Sequence, residues 1–592
     1  MSAYVSLVLA AIVGATAVAA YLPALWTGFT ADDFFILARL KQFGGLDRPL
    51  EYFGPLGFFE YYRPLTFLSH ALDWEIWRMH PAGFHLTNVG LHAGNAVLVF
   101  ALGRQLAGRA TAVVAGLLFA LHPASHEAVY WISARFDLLA TFLSLIALVL
   151  ACGPRGGYVF SVLAFGLALL AKESALALPV VVLAHDVLIR RLDWRQAARR
   201  LLPFVLVAGA YGLLRSQVGA LDAAGGAGRL PKLLLLAAMT AGLFWVARSR
   251  PAWSAKSLRI HTVVGGIVLG AGLMGVLLAL PASSGWLREK IGFASFSLFY
   301  LFSPVAVPSP PSHFFDRPAT SLAAIELVVL FGVVALAWRN RQWILTHPQV
   351  AFLLVFTAAT LVPVSSMTSG PRYLYLASTG VSLLWGMVFP SLPLALRSRA
   401  VAVLVVALGI AVVQLAAAGR SWKWASDMTD DALTLMTRAL VPCGTHDIVV
   451  LTTPVGIRGV FSNLNEVAFE VRGCSPASWT SLLRVVRSDA HVEVSRHEDR
   501  IELRVPEYAD NFVASRDLRH FDLPVTGPEP LSIDTPVGHL DSTAENGARV
   551  FRLSVARRLR QACFFFYSDG RLHALGTAQT GGPSQPACGI GR

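Results

Sequence analysis

Charge is what this sequence has least of. Only 14% of its 592 residues are charged, against about 25% in an ordinary soluble chain. That is too few to coat a surface facing water. Lysine is scarcer still, 6 of 49 cations, an arginine bias that points to a GC-rich bacterial genome. No G-x-x-x-x-G-K-[ST] loop is present, so no P-loop nucleotide site is expected, and H-E-x-x-H is missing too. What fills the space is apolar: 55% hydrophobic residues and a mean hydropathy of +0.57. Several runs approach or reach the roughly 17–25 residues that cross a bilayer. A soluble enzyme, a disordered chain and a collagen-like fibre are excluded. The pattern predicts a polytopic α-helical membrane protein with a soluble tail.

The net charge of +13 resembles a nucleic-acid signal until the cations are placed. No basic stretch interleaves with aromatics on a soluble face, so no nucleic-acid partner is expected. Apolar runs lie near 4–26, 84–103, 110–122, 137–152, 157–171, 174–189, 201–219, 232–247, 260–280, 321–338, 348–366, 373–395 and 400–418. That reading gives about 13 crossings. The first run has no Lys or Arg before it and is read as a retained helix rather than a cleaved signal. Alternate short loops hold 16 cations, Arg104, Arg109, Arg155, Arg190, Arg191, Arg195, Arg199, Arg200, Arg248, Arg250, Lys256, Arg259, Arg339, Arg341, Arg397 and Arg399. By the positive-inside rule these loops and the N-terminus face the cytoplasm, and residues 420–592 emerge on the other side. Two outer loops are long, 27–83 and 281–320, and both are rich in aromatics suited to the membrane interface.

Polar groups at membrane depth are costly, so their positions matter. They gather at the outer helix ends. Asp32 and Asp33 follow the first run, with Arg63 in the first outer loop. His85, Asn88, His92 and Asn95 fall within about 80° of one helix face at 100° per residue, a stripe that must face protein or a wet cavity. His122, His126, Glu127, Arg135 and Asp137 mark the next outer loop, Lys172 and Glu173 another, and Arg372 a later one. The charge rule used only the opposite loops, yet all these groups emerge on one side. An active site at the outer surface follows.

Carboxylates there can accept a proton from a hydroxyl, and fixed cations can hold a departing phosphate. Arginine suits the second task because its planar fork matches phosphate oxygens. The minimal chemistry is a carboxylate base, an acceptor hydroxyl attacking an anomeric carbon, and cations neutralising the phosphate that leaves. No cofactor is required. His122 and His126, four apart in the order H-x-x-x-H-E, leave a divalent metal open. Asp32 and Asp33 could equally be turn and cap residues.

The outer motifs together resemble the GT-C superfamily of integral-membrane glycosyltransferases, and most closely the tetratricopeptide-linked O-mannosyltransferases and their bacterial relatives. The matching pieces are Ala31-Asp32-Asp33, Tyr62-Arg63-Pro64-Leu65, Phe84-His85-Leu86-Thr87-Asn88, His122-Pro123, His126-Glu127-Ala128-Val129, Ala134-Arg135-Phe136-Asp137-Leu138-Leu139, Ala171-Lys172-Glu173-Ser174 and Arg372-Tyr373-Leu374-Tyr375. The resemblance implies inverting transfer of a monosaccharide, mannose in the named relatives, from a polyprenyl-phosphate-linked donor at the periplasmic face of a bacterial inner membrane. It implies Asp33, or its neighbour Asp32, as base. Arg63, Arg135, Lys172 and Arg372 become donor-phosphate partners. His85, His122, His126, Glu127, Asp137 and Glu173 line or brace the sugar and acceptor pocket.

Two domains are expected, a GT-C-like transmembrane domain over 1–419 and a soluble extracytoplasmic α+β or β-rich domain over 420–592. The tail shows no 34-residue period. A helix near 425–440 is expected, then strands at Asp447–Thr452, at 491–496 and at 500–505, and a last hairpin turning at Asp569-Gly570. Without repeats the acceptor stays open between protein, lipid and polysaccharide. Cys443, Cys474, Cys563 and Cys588 fall in the tail and can form two disulfides on the outer side, whereas Cys152 lies at a cytoplasmic helix end. The competing readings are a transporter or flippase of a lipid-linked glycan and a non-catalytic scaffold. A transporter's polar residues run through the bilayer midplane, whereas these gather toward one face.

Overall fold

The computed structural model describes residues 2–249 and 347–439, apart from 55–61, 154, 218–229, 365–370 and 392–393, and most strands of the tail between 447 and 575. The helices are α1 (Ser2–Tyr21), α2 (Asp33–Phe43), α3 (Pro64–Trp77), α4 (Pro81–Ala107), α5 (Arg109–Ala120), α6 (His126–Tyr130), α7 (Arg135–Cys152), α8 (Tyr158–Ala171), α9 (Leu178–Ala184), α10 (Trp194–Gln217), α11 (Leu230–Ser249), α12 (Pro348–Leu361), α13 (Tyr375–Ser391) and α14 (Leu394–Ala439). Proline opens α3, α4 and α12, where its missing N–H leaves no hydrogen bond unmade.

The chain is an α-helical membrane protein. Among the described residues, six helices are long and apolar enough to cross a bilayer, or seven if the pair 109–120 and 123–130, bent by 49° at His122-Pro123, counts as one. Leu7, Leu163, Leu206, Leu213, Val403 and Val413 all stand more than half exposed. Apolar surface on that scale is stable against lipid, not water. The sequence reading of thirteen runs differs in three ways. The runs at 260–280 and 321–338, and the outer loop 281–320, lie outside the described residues. At 157–171, 232–247 and 348–366 the apolar helical stretches, Tyr158–Ala171, Leu233–Arg248 and Pro348–Leu361, are only 10–17 residues long. The run at 174–189 is cut into a 3-10 turn, the short α9 and a π-helical turn, His185–Ile189.

Contacts divide the chain into two compact units: Met1–Leu25 with Gly45–Pro308 and Pro318–Gly419, and Trp26–Gly44 with Ser309–Arg317 and Arg420–Arg592. In the first unit α4 packs on α1, α5 and α7, while α8 packs on α7 and α13 on α5. Close approach depends on small residues. A Cβ on Gly386 would stand 2.7 Å from the Thr111 carbonyl oxygen, so α5 and α13 meet there backbone to backbone. At the basic ends of these helices, Arg200 donates to Asp186 Oδ2 at 2.7 Å and to the Ala151 carbonyl at 3.3 Å. Arg190 donates to the Gly153 carbonyl at 2.6 Å. These bonds tie the start of α10 to the end of α7.

The second unit holds the tail strands, β1 (Asp447–Pro454), β2 (Gly456–Ile457), β3 (Val460–Phe461), β4 (Ser478–Val485), β5 (Glu493–His497), β6 (Arg500–Pro506), β7 (Phe512–Ala514), β8 (Leu523–Val525), β9 (Leu531–Thr535), β10 (Gly538–Glu545), β11 (Ala548–Val555), β12 (Cys563–Ser568) and β13 (Arg571–Ala574). A mixed sheet runs β13-β12-β1-β4-β7-β8, with β1 parallel to β4 and β12. An antiparallel sheet runs β5-β6-β11-β10-β9. Ile501, Leu503 and Val505 alternate with half-buried Glu502 and Arg504, the period of two of a sheet with one face covered. They share a core with Val449 and Leu451 of β1 and Phe564 of β12, so residues of both sheets line it. Cys563 is disulfide-bonded, whereas Cys152 is free.

Candidate active site

The site starts from two adjacent residues that diverge. α8 ends at Ala171, and Lys172 is extended (φ −162, ψ 142), so its side chain and that of Glu173 leave in different directions. Lys172 Nζ donates to Asp137 Oδ1 at 2.5 Å, in the first turn of α7. Glu173 accepts from Arg63 Nε at 3.1 Å and Nη2 at 2.6 Å, a fork-to-fork geometry. Arg63 sits just ahead of Pro64 at the start of α3, and its guanidinium lies 4.8 Å from the Phe136 ring centroid. Burial would raise the Glu173 carboxyl, but the Arg63 guanidinium, with Arg215 and Lys172, holds it well below the usual carboxylate range. Burial pulls the Lys172 ammonium below its ordinary value, against the opposing pull of Asp137.

The next pair joins this one through an aromatic ring. The Arg372 backbone N–H donates to Glu127 Oε2 at 3.0 Å, and its guanidinium bonds Glu127 Oε1. Nη2 donates to the Tyr373 hydroxyl at 2.8 Å. Arg372 Cζ stands 4.6 Å from the Trp131 ring and 4.4 Å from the Tyr373 ring, while Lys172 Nζ stands 5.1 Å from that same Tyr373 ring. Tyr373 therefore carries a cation from each pair on its ring. Arg63, Glu173, Lys172, Asp137, Tyr373, Arg372 and Glu127 form one continuous set, all at the helix ends opposite the Asp186 cluster.

Arg135 stands differently. It is fully buried. Nε donates to Asn88 Oδ1 at 2.8 Å, Nη1 to the Ser69 carbonyl and Oγ at 3.2 Å each, and Nη2 to the Phe84 carbonyl at 2.8 Å. Nη2 also pairs with Asp73 Oδ2 at 2.6 Å. A guanidinium has five N–H donors, and protein groups surround every one. The polar stripe of α4 is likewise interior. Asn88 donates to the Trp131 carbonyl at 3.1 Å, His92 meets the Tyr375 hydroxyl at 2.7 Å, and Asn95 donates to the Leu138 carbonyl at 3.1 Å.

His85 is buried on α4. His122 caps the turn at Pro123, its Nδ1 accepting from the Ala124 N–H at 3.2 Å, and His126 is half-buried at the start of α6. Among the described residues no three His, Cys, Asp or Glu side chains are placed to hold a metal. Asp32 and Asp33 belong to the second unit. Asp33 opens α2, is buried, and its Oδ2 accepts from the Thr30 N–H at 2.9 Å. Asp32 is half-buried at the helix N-cap without a side-chain capping bond.

Sequence reasoning passed over Arg215 and the role of Tyr373. Arg215 lies in the last turn of α10, with Nη1 4.0 Å from Glu173 Oε2. The available signal was its position, a single cation at the outer end of an otherwise apolar run.

No family model matches the chain. Over 199 residues it is 35% identical to protein O-mannosyl-transferase Tmtc1 of Drosophila melanogaster, covering 30% of this chain and 23% of that protein. The chain resembles the O-mannosyl-transferases. It is also 32% identical over 167 residues to protein O-mannosyl-transferase F38B6.6 of Caenorhabditis elegans, covering 28% of this chain and 24% of that one. Against human protein O-mannosyl-transferase TMTC2 it is 34% identical over 139 residues, 22% of this chain and 17% of the relative. The alignments thus span a quarter or less of these relatives' length. Among solved structures, the Archaeoglobus fulgidus oligosaccharyltransferase AglB with an inhibitory peptide and a dolichol-phosphate aligns at 12% identity with a TM-score of 0.45, covering 81% of this chain and 64% of that one. ArnT from Cupriavidus metallidurans, bound to undecaprenyl phosphate, aligns at 13% identity with a TM-score of 0.27, covering 76% and 82%.

Proposed function

We propose that the chain is a GT-C membrane glycosyltransferase that moves a monosaccharide from a polyprenyl-phosphate-linked donor to an acceptor hydroxyl, with inversion. The observation that carries this reading is the set of cations, buried Arg63 and Lys172 and half-buried Arg372, linked at one end of the helices through paired acids and Tyr373. Preorganised cations in a dry site are what a departing phosphate needs. The names of the sequence relatives support the same chemistry, with mannose as the sugar.

In this reading the Asp33 carboxylate takes the proton of the acceptor hydroxyl as its oxygen attacks the anomeric carbon from the face opposite the phosphate. The bond between that carbon and the phosphate oxygen breaks, and its electron pair leaves on polyprenyl phosphate. One displacement inverts the centre. The Thr30 N–H bond to Asp33 Oδ2 holds the carboxylate's orientation. Asp32 stands beside it as the alternative base. Arg63, Lys172 and Arg372 neutralise the leaving phosphate, and Glu127, Asp137 and Glu173 hold those cations in place. Arg135 braces α3, α4 and α7. His85, His122 and His126 frame the sugar and acceptor pocket.

The basic loops face the cytoplasm in this proposal, and the site and the tail lie on the periplasmic side of a bacterial inner membrane. The disulfide-bonded state of Cys563 supports an oxidising compartment for the tail. Purified protein given a panel of polyprenyl-phosphate sugars and an envelope extract as acceptor should release polyprenyl phosphate with one donor. Asp33→Asn should abolish release while the protein stays folded. No release from any donor, with acceptor demonstrably present, refutes the reading.

A further inference from the structure

The Asp186 end of the helices carries arginines of two kinds. Arg190 and Arg200 are held by Asp186 and by main-chain carbonyls. Arg195 and Arg199, in the first two turns of α10, are exposed, and their guanidinium groups make no hydrogen bond or ion pair among the described residues. Arg195 Cζ stands 5.3 Å from the Trp194 ring centroid, a contact that uses the face of the guanidinium and leaves its N–H edge. Their placing is electrostatically unfavourable. Like charges four apart on a helix repel, and both stand near the positive end of the helix dipole. Asp193 is the nearest acid in sequence, but its Oδ1 is taken by the N–H groups of Arg195 and Gln196, at 2.8 and 2.9 Å. The stretches 104–109, 153–157, 248–259, 339–347 and 396–399, which hold the other cations assigned to this side, contain no acid at all. The counter-charge for this pair therefore comes from outside the chain.

The same face of α10 identifies what carries that charge. At 100° per residue, Arg195, Arg199, Leu202, Leu206 and Leu213 fall within about 60° of one another. The three leucines are exposed by 55%, 62% and 68%, and the buried Ala197, Leu201, Phe204 and Tyr211 occupy the opposite side. One stripe thus runs from two arginines into apolar surface, on a helix long enough to cross a bilayer. Half of a ~30 Å hydrocarbon core is about ten residues of helix. An acyl chain hung from a phosphate at Arg199 reaches the level of Gly209, where nothing stands within 4 Å of the position a Cβ would take. A soluble anion uses only the arginines; an anionic phospholipid uses the whole stripe.

We infer that Arg195 and Arg199 bind the phosphate of an anionic phospholipid in the leaflet at the basic end of the helices, with one acyl chain along Leu202 and Leu206. The site lies at the opposite end of the helices from Arg63, Lys172 and Arg372, and it stands independently of the glycosyltransferase reading. The N–H groups that Asp193 caps take no part, so the two side chains and the apolar stripe make the site.

The test titrates the full chain in neutral detergent with dioleoylphosphatidylglycerol and with zwitterionic dioleoylphosphatidylcholine, counting bound lipid by native mass spectrometry. Wild type should prefer the anionic lipid by about tenfold or more, since each cation beside an anionic headgroup adds to binding. The double variant Arg195→Gln/Arg199→Gln should bring that ratio below about threefold, and both side chains are exposed, so neither change touches the packed interior. Arg104→Gln/Arg248→Gln removes two exposed cations of the same end, from α4 and α11, and should leave the ratio within about twofold of wild type. An equal fall in the two double variants overturns the inference, because the preference then belongs to the charge of the whole face. So does a wild type that takes both lipids alike, or an Arg195→Gln/Arg199→Gln protein that discriminates as wild type does. Displacement of phosphatidylglycerol by an equal concentration of inorganic phosphate also overturns it, because the apolar stripe then contributes nothing.

Discussion

Arg63 grips both carboxylate oxygens of Glu173, at 3.1 and 2.6 Å, across 110 residues of sequence. The pair joins the start of α3 to the turn after α8, and it makes Glu173 a strong anion. Its folded-state pKa is depressed, so its contribution to stability is complete above about pH 4.3, the unfolded value. That contribution shrinks as the pH falls toward the folded value, because the unfolded chain takes up the proton first. Glu173→Gln should cost about 3–5 kcal/mol near neutrality, the range for breaking a buried pair. Melting temperatures in detergent should also fall less steeply for the variant than for wild type between pH 5 and pH 3. Equal slopes would assign acid sensitivity to other carboxylates.

Arg135 leads to the opposite kind of prediction. With its donors placed on Asn88, Ser69, Phe84 and Asp73, its removal strands buried carbonyls and a buried carboxylate together. Arg135→Gln should lower stability by about 3–5 kcal/mol and reduce folded yield. Whatever folded protein remains should keep its apparent donor affinity. Arg135→Lys should not rescue it, since an ammonium cannot satisfy a planar five-donor cage. A well-folded Arg135→Gln protein with weakened donor binding would instead return this residue to the phosphate site.

Much of this was legible because periodicity and charge are local. Four polar residues, three or four apart on an apolar helix, announce an interior stripe, and His85, Asn88, His92 and Asn95 are indeed all buried. The cations of the site were legible as types. Their matching was not, because partners lie 35 residues apart for Lys172 and Asp137 and 245 apart for Arg372 and Glu127. Only packing decides such pairings. That is why Arg135 reads as a phosphate ligand in sequence and stands as an interior tie in the fold. Residues 394–439 form one helix where two separate ones were expected. The polar stretch after Gly419 ends the apolar run but contains no proline to stop the helix.

The tail offers a test of sidedness independent of catalysis. Cys563 is disulfide-bonded and buried in β12, whereas Cys152 is a free thiol. Alkylation of unreduced, denatured protein should modify Cys152 and spare Cys563, and prior reduction should expose Cys563. Losing the bond should cost the tail about 2–5 kcal/mol, read as increased proteolysis after Cys563→Ser. Protein retained in the cytoplasm should label at Cys563 without reduction. Labelling of Cys563 in envelope-derived protein would remove the oxidising-side argument.

Arg372 and Tyr373 separate the chemistry from its support. Arg372 reaches Glu127 and the Tyr373 hydroxyl and stacks between two rings. If it meets the leaving phosphate, its charge matters most in the transition state, where the bond to the sugar is breaking. Arg372→Ala should therefore lower kcat by about 10²–10³, the scale for removing one such donor, with a smaller change in donor KM. Tyr373→Phe keeps the ring that faces both Lys172 and Arg372 and deletes one hydrogen bond, worth about 0.5–1.5 kcal/mol. Its kcat should fall tenfold or less. A Tyr373→Phe enzyme as inactive as Arg372→Ala would move the hydroxyl from orienting the arginine to touching the substrate. An Arg372→Ala enzyme changed only in KM would show that Arg372 binds donor and transition state equally.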